Sequence, residues 1–295
     1  MWTTQPGWVA PATMKPARDV VLILAALALC PLVALMAPSE PPLGRAYALA
    51  DLERSLGLFF EPAAHAWLAA RPGLLTAAGL FYVWVHLPAT IGALVWAQLE
   101  RPRAFPLARD AFLATQTVTV LGYVLFPVAP PRLAPDLGFT DTLSAVYGTG
   151  GEALAHSVQS PYAAMPSGHM AFALIAAGTV FALVRSRLLR VGAVLYVALV
   201  FAVIVTTANH FWLDAAGGAL AAAIGVLAAR VIRDPGLVRR SNNDRDPDEQ
   251  SLPRRGDRLR PGRPGGGPAP TGPGLRRDGA GAVLRARRPG RATAR

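Results

Sequence analysis

Six long apolar segments constrain the fold of this chain more than any other feature of its sequence. They cover residues 20–37, 74–99, 111–126, 166–184, 191–206 and 211–232. Each is close to the length of about 20 residues with which a helix crosses the hydrocarbon core of a bilayer. Hydrophobic residues make up 53% of the chain and charged residues 16%, a composition typical of membrane proteins. We therefore predict an all-α, polytopic membrane protein with six transmembrane helices.

Arginines in the short connecting loops predict the orientation of these helices. They lie between the second and third segments and between the fourth and fifth, at Arg101, Arg103, Arg109, Arg185, Arg187 and Arg190. Because basic residues accumulate in cytoplasmic loops, we predict a multi-pass protein of the cell membrane with both termini in the cytoplasm. The loops 44–72 and 127–165 and the turn around Asn209 would then lie on the extracytoplasmic side.

The chain divides into three predicted regions. These are a cytoplasmic N-terminal segment (1–18), a six-helix transmembrane domain (19–232) and a disordered cytoplasmic tail (233–295). Between the first two spans, leucines and phenylalanines recur at helical spacing among charged residues, which predicts an amphipathic helix in the membrane interface. Its charged residues are Asp51, Glu53, Arg54 and Glu61.

The net charge of +11 belongs almost entirely to the tail. Residues 230–295 hold 17 of the 29 basic residues and 7 of the 18 acidic ones, with many Pro and Gly and few large apolar side chains. Such a segment cannot form a packed core. It is either simply solvated or attracted to anionic membrane lipids, and we predict no nucleic-acid partner. Cys30 is the only cysteine, so no intrachain disulfide forms.

Three motifs carry the candidate chemistry, and the first opens the fourth apolar segment. It reads Met165-Pro166-Ser167-Gly168-His169. A helix that begins here would present free backbone N–H groups and the positive end of its dipole, which together favour a bound anion. His169 would stand beside that anion.

The second motif opens the sixth segment and contains His210 and Asp214. Residues four apart share one side of a helix, so the carboxylate could orient one ring nitrogen while the other faces a substrate. This spacing is typical of a nucleophile or base with its orienting group.

The third motif, Ala129-Pro130-Pro131-Arg132, follows the third segment. Consecutive prolines end the helix there, which places Arg132 at the rim of the membrane, where a guanidinium could bind phosphate oxygens in a forked arrangement. On the second segment, Tyr82 and His86 are also four apart and could face the same polar cavity. An interhelical hydrogen bond is the alternative for His86.

Together these motifs resemble those of the type 2 phosphatidic acid phosphatase (PAP2) superfamily, in which a Pro-Ser-Gly-His element and a later His-x-x-x-Asp element lie on neighbouring helices. The resemblance covers about residues 45–232. Within it, the segments 129–132 and 209–214 are most similar to the branch related to inositol phosphorylceramide synthases, which transfers phosphoinositol between lipids.

The resemblance implies a mechanism on a lipid phosphate substrate. His210 would attack phosphorus to form a phosphohistidine, Asp214 would orient that ring, and His169 would protonate the leaving alkoxide. The phosphate would be bound by Arg132, Ser167 and the Gly168 amide. A metal bound by the two histidines and Asp214 is possible by ligand type, but no further cluster of ligands completes it, so we predict catalysis without metal or cofactor.

Two positions depart from the superfamily pattern. Its phosphatases usually carry a lysine seven residues before the first-motif arginine and an arginine six residues before the nucleophilic histidine, where this chain has Leu125 and Ile204. Their absence weakens the case for an ordinary phosphatase and favours the transferase-like branch. Replacement donors could come from Tyr82, His86, Asn209 or Arg45.

Two other classes of protein are compatible with the motifs. A transporter or binding protein could use the histidines to relay protons or hold an anionic headgroup, and a vanadate-dependent oxidase could use the same anion pocket. The sequence does not indicate the lipid, the acceptor or the oligomeric state.

Several remaining residues are assigned structural roles. Gly217, Gly218 and Gly225 predict a close helix contact. His65 lies in an outer loop and is predicted to be solvated, with a catalytic role as the alternative. Asp141 is also predicted to be solvated, and the alternatives are that it caps a helix or lines the entrance to the site.

Overall fold

A computed structural model describes residues 16–148 and 160–234, and this part of the chain is built from helices without a β-strand. Two 3-10 turns, Pro131–Leu133 and Pro135–Leu137, follow the sixth helix. The helices are α1 (Pro16–Leu35), α2 (Leu43–Ser55), α3 (Glu61–Ala69), α4 (Pro72–Trp84), α5 (His86–Glu100), α6 (Phe105–Leu125), α7 (142–148), α8 (Gly168–Leu183), α9 (Arg187–Thr206) and α10 (Trp212–Arg233). The all-α prediction is confirmed, whereas nearly all of the predicted N-terminal segment and tail lies outside the described residues.

Three of the described helices, α1, α9 and α10, are long and apolar enough to span a membrane. The predicted second span is broken at Val85 into α4 and α5, which are bent by 45° and count as a fourth span only if taken together. Helix α6 has 21 residues but includes Arg109, Asp110 and Gln116, and α8 has only 16 residues. The chain is a membrane protein by these helices, but the predicted number of six spans is not confirmed.

The predicted interfacial helix is in fact two short helices. Helix α2 ends just before Gly57, which has a φ of +69°, a left-handed conformation that ends many helices and that glycine adopts without strain. Helix α3 then begins at Glu61. The prediction grouped Glu53 and Glu61 with the charged face of an amphipathic helix, but both side chains are fully buried.

Helix α10 is packed most closely against α6, and glycine makes that contact possible. A Cβ on Gly225 would lie 2.7 Å from the Thr115 backbone nitrogen and 2.9 Å from the Ala111 carbonyl oxygen. A Cβ on Gly218 would collide with the carbonyl of Ser167 at the start of α8. The predicted close helix contact is confirmed.

Charged side chains join three helices where α1 and α6 begin and α10 ends. Arg109 pairs with Asp19 of α1 and with its neighbour Asp110, which also pairs with Arg233 of α10. Charged groups at the ends of membrane helices are costly unless paired, and this network satisfies them. It also holds α1 beside the rest of the bundle, where Gln116 donates a hydrogen bond to the Ala26 carbonyl at 2.9 Å.

The glycine contact yields a stability prediction. Gly225→Ala should lower the thermal unfolding midpoint of the detergent-solubilised protein, because overpacking against backbone costs about 1–3 kcal/mol. Gly178→Ala is the matched control, since a Cβ there meets nothing within 4 Å and alanine favours the helix. An unchanged midpoint for Gly225→Ala would contradict the close α6–α10 contact.

Candidate active site

A cavity of about 350 Å³ brings most of the predicted site residues together. Its polar end is formed by Tyr82, His86, Arg132, His169, Asn209 and His210. Its apolar wall comes from α1 and from the region of the α4–α5 break, and includes Leu27, Cys30, Pro31, Val83 and Leu87. The cavity thus combines a cation and imidazole rings with an apolar wall.

His210 lies in a tight loop between α9 and α10. Ala208 has a φ of +54°, a conformation that costs roughly 1 kcal/mol or more for a residue with a Cβ. The Ala208 carbonyl accepts a hydrogen bond from the Arg132 amide at 2.8 Å. The strained loop is therefore tied to the proline-rich turn, and this tie brings the second and third motifs together.

One hydrogen bond determines which nitrogen of His210 is available. Nδ1 lies 2.9 Å from the Ala164 carbonyl oxygen. Because a carbonyl only accepts, the proton of the neutral ring is on Nδ1 and the lone pair is on Nε2. Within the described residues, Nε2 has no hydrogen-bond partner although it is buried. His210 therefore carries an unpaired basic nitrogen at the polar end of the cavity.

Asp214 lies behind His210, but it does not make the hydrogen bond that the spacing suggests. Its Oδ2 is 3.6 Å from His210 Nδ1, and the same oxygen accepts a 2.9 Å hydrogen bond from the Phe211 amide. The Ala164 carbonyl sets the orientation of the ring, and Asp214 supplies a neighbouring carboxyl group. The role predicted for Asp214 alone is therefore divided between the Ala164 carbonyl and Asp214.

Burial keeps His210 neutral. It lowers the pKa of His210 to about 4, with a smaller contribution in the same direction from the nearby Arg132 guanidinium and an opposing one from the hydrogen bond to Ala164. At neutral pH the ring is therefore uncharged and its Nε2 lone pair is free for nucleophilic attack.

His169 is held by stacking and by one backbone contact. Its Nε2 donates to the Tyr82 carbonyl at 3.1 Å, in the last turn of α4, where helical carbonyls lack partners. Its ring stacks on the Tyr82 ring at 4.1 Å and lies 5.7 Å from the His210 ring, centroid to centroid. Since Nε2 is engaged, any proton that His169 exchanges with a substrate must be carried by Nδ1.

His86 extends this aromatic stack. Its ring centroid is 4.0 Å from that of His169 and 5.8 Å from that of Phe172. Its Nδ1 is buried and has no hydrogen-bond partner in the described part of the chain. The interhelical hydrogen bond considered for His86 is therefore not formed through Nδ1, and the ring lines the cavity instead.

Arg132 is the cation of the cavity, and it is held from two sides. Its Nη1 donates to both oxygens of Asp141, at 2.9 and 3.0 Å, and its Nε donates to Asn209 Oδ1 at 3.1 Å. Asp141 also accepts from the Leu143 and Ser144 amides and so caps α7. Burial raises the pKa of Asp141, but the Arg132 charge and the Ser144 amide outweigh it and lower that pKa overall. The capping alternative for Asp141 is therefore correct, and the solvated one is wrong.

Ser167 and Gly168, predicted to bind phosphate, are not on the cavity wall. Ser167 is fully buried and caps α8, where its Oγ accepts a hydrogen bond from the Met170 amide at 3.3 Å. Gly168 lies against the Tyr123 hydroxyl, which would be 2.6 Å from an added Cβ. Both residues thus belong to the start of α8, the turn that carries His169.

Arg45 does not replace the two cations that are missing at Leu125 and Ile204. Its guanidinium donates to the Pro127 carbonyl at 3.0 Å and lies over the Phe126 ring, away from the cavity wall. Leu125 is 73% exposed and Ile204 is buried in an apolar cluster. Of the predicted replacement donors, the cavity is lined by Tyr82, His86 and Asn209.

Sequence reasoning missed two carboxyl groups and one histidine. Glu53 and Glu61 accept hydrogen bonds from the Leu213 and Trp212 amides at the start of α10, each at 3.0 Å. His65, predicted to be solvated, is buried and bridges the Thr206 carbonyl to Thr140. One signal could have indicated the two glutamates. Helix α10 begins after Phe211, whose side chain cannot cap a helix, so its first amides need acceptors from elsewhere in the chain.

Residues 47–228, more than half of the chain, match the PAP2 superfamily. No curated protein and no solved structure shows significant similarity to the chain. Within the described residues, no group of three or more His, Cys, Asp or Glu side chains is arranged to hold a metal ion. The matched region contains all three motifs that meet at the cavity, and the chain therefore belongs to the PAP2 superfamily.

Proposed function

We propose that this protein is a membrane phosphoesterase or phosphotransferase that acts on lipid phosphates through a phosphohistidine on His210. The observation that carries the proposal is the buried, unpaired Nε2 of a neutral His210, beside His169 and Arg132 in one cavity. Membership of the superfamily supports phosphatase-type activity.

In the first proposed step, the Nε2 lone pair of His210 attacks phosphorus and forms a P–N bond. The bond between phosphorus and the lipid oxygen breaks. His169, which enters this step as the imidazolium with a second proton taken up alongside the anionic phosphate, delivers its Nδ1 proton to that oxygen and keeps the Nε2 proton on the Tyr82 carbonyl. In the second step, His169 removes a proton from water or an alcohol, whose oxygen attacks phosphorus and breaks the P–N bond. Together the two steps return both histidines to their starting protonation states.

The groups around the two histidines have supporting roles in this mechanism. Arg132 binds the phosphoryl oxygens and stabilises the charge that grows on them, with Asn209 fixing the guanidinium. Asp214, 3.6 Å from Nδ1, stabilises the positive charge that develops on His210. Ser167 and the Gly168 amide act indirectly, since they position the start of α8.

The apolar wall of the cavity supports a lipid as the substrate. The phosphate would occupy the polar end, while the first part of a hydrocarbon chain lies along Leu27, Cys30 and Leu87. Helix α1, which supplies Leu27 and Cys30, lies outside the matched region 47–228, so this part of the apolar wall is separate from the three motifs.

Two versions of the proposal differ in the molecule that accepts the phosphoryl group. Apolar residues at Leu125 and Ile204 favour a transferase of the inositolphosphotransferase-like branch, because they remove two cations of the phosphatase pattern. The alternative is a plain phosphatase acting on phosphatidate or a polyprenyl phosphate. We further propose that the cavity faces the extracytoplasmic side of the cell membrane and that both termini are cytoplasmic, as the arginine distribution predicts.

The first experiment is to measure release of inorganic phosphate from a panel of lipid phosphates by purified protein in EDTA. His210→Ala should reduce the rate by at least about 10³-fold, as loss of a covalent nucleophile does, with an unchanged unfolding midpoint as the control for folding. No release from any lipid would turn the search to transfer of labelled phosphorus to an acceptor lipid. Headgroup binding that survives His210→Asn without any turnover would favour a transporter or binding protein.

A second prediction concerns the apolar wall. Cys30→Trp should reduce kcat/KM for a long-chain lipid phosphate about tenfold or more, because the indole occupies space that the chain requires, and should leave a short-chain soluble phosphoester within about twofold. Leu29→Trp is the matched control on the same helix, since Leu29 is exposed and does not line the cavity. Equal effects on both substrates would place the lipid chain elsewhere.

A third prediction follows from the lowered pKa of His210. The pKa of His210 has the ordinary value of 6.5 in the unfolded chain and is lowered to about 4 in the folded protein. Between these pH values, only the unfolded state takes up a proton on His210. The stability contribution of the neutral ring is therefore complete above pH 6.5 and is lost as pH falls towards 4. Unfolding midpoints measured across this range should decrease more steeply for wild type than for His210→Asn. Parallel pH curves would contradict a buried, neutral His210.

A further inference from the structure

Three buried carboxyl groups meet three successive backbone amides at the start of α10. The Phe211 amide donates to Asp214 at 2.9 Å, the Trp212 amide to Glu61 at 3.0 Å and the Leu213 amide to Glu53 at 3.0 Å. All three carboxyl side chains are fully buried. Only Asp214 belongs to α10, and the other two are brought from α3 and α2.

This arrangement supplies hydrogen-bond acceptors that the helix itself lacks. The first amides of an α-helix lack intrahelical acceptors, and leaving them unsatisfied in a buried place is costly. Most helices use a side chain of the N-cap residue, but here that residue is Phe211. Negative or partly negative oxygens at this end also interact favourably with the helix dipole.

The two glutamates also interact with each other. Burial, followed by a hydrogen bond to Glu61, raises the pKa of Glu53 to about 9. Glu53 is therefore protonated at neutral pH, and the pair carries at most one negative charge. A neutral Glu53 keeps its hydrogen-bonding capacity while avoiding the repulsion between adjacent carboxylates.

We propose that Glu53 and Glu61 are positioning residues that hold the first turn of α10 and thereby fix His210 against the cavity. The proposal rests on the proposed function, because it assigns these residues to the pose of the nucleophile. His210 directly precedes the capped residues 211–213, and Asp214 Oδ2 both caps Phe211 and lies near the His210 ring. Loosening the turn would move the nucleophile and its neighbouring carboxyl group together.

Substitutions at Glu53 separate its hydrogen bond from its charge. Glu53→Gln keeps an oxygen that accepts from the Leu213 amide and resembles the neutral carboxyl group, whereas Glu53→Leu removes the acceptor at similar volume. We expect kcat on the lipid phosphate to fall about 10- to 100-fold in Glu53→Leu, the range that follows from a misplaced catalytic group. KM of Glu53→Leu should stay within about twofold of wild type, and kcat of Glu53→Gln should lie within about threefold of wild type. Asp51→Leu is the matched control, being exposed on the same helix.

A second measurement does not depend on catalysis. Backbone hydrogen exchange of a peptide covering residues 207–214 should be faster in Glu53→Leu and in Glu61→Leu than in wild type, and unchanged in Glu53→Gln and Asp51→Leu. Unchanged exchange in both leucine variants would overturn the cap. Faster exchange with unchanged kcat would overturn the positioning role.

The two measurements also separate this inference from the proposed function. If wild type released and transferred no phosphate, the proposed function would fail, while the exchange data would still support or overturn the cap. If Glu53→Gln lowered kcat as much as Glu53→Leu, charge or exact shape rather than the hydrogen bond to Leu213 would be required, and the positioning mechanism would be overturned.

Discussion

The start of α10 must satisfy its backbone amides in a place that water does not reach, and much of the site depends on how this is done. Glu53 and Glu61 reach across from α2 and α3 to accept those amides. The preceding loop is strained at Ala208 and carries His210 on the cavity wall. The helices between the first two apolar segments therefore support the helix start that follows the predicted site residue His210.

Burial also determines the protonation state of His210. It lowers the pKa of His210 and so keeps the ring uncharged at neutral pH, which the proposed nucleophile requires. Arg132 contributes positive charge to the cavity and is itself paired with Asp141. The cavity accordingly combines a neutral imidazole with a paired cation, an arrangement suited to binding a phosphate that brings its own negative charge.

Local patterns in the sequence indicated which motifs meet at the cavity, because proline, glycine and the four-residue helical spacing act over a few residues. They correctly placed His169, His210 and Arg132 around one cavity. They failed where the partner is distant in sequence: Glu53 is 160 residues from Leu213, and no periodicity links the two. The predicted number of six spans is not confirmed, and an apolar run does not reveal a break such as that at Val85.

His169 and His210 owe the tautomers of their neutral rings to main-chain oxygens, those of Tyr82 and Ala164. Every amino acid has that oxygen, so the identity of the side chain at either position is nearly irrelevant to where the ring protons lie. What matters is where the main chain holds each carbonyl. Substitutions at these two positions should therefore leave the ring protons in place, even where they disturb the stacking of Tyr82 on His169 or the packing of the buried Ala164. A one-residue insertion or deletion between Ala164 and Ser167, by contrast, would move the carbonyl that holds the Nδ1 proton of His210.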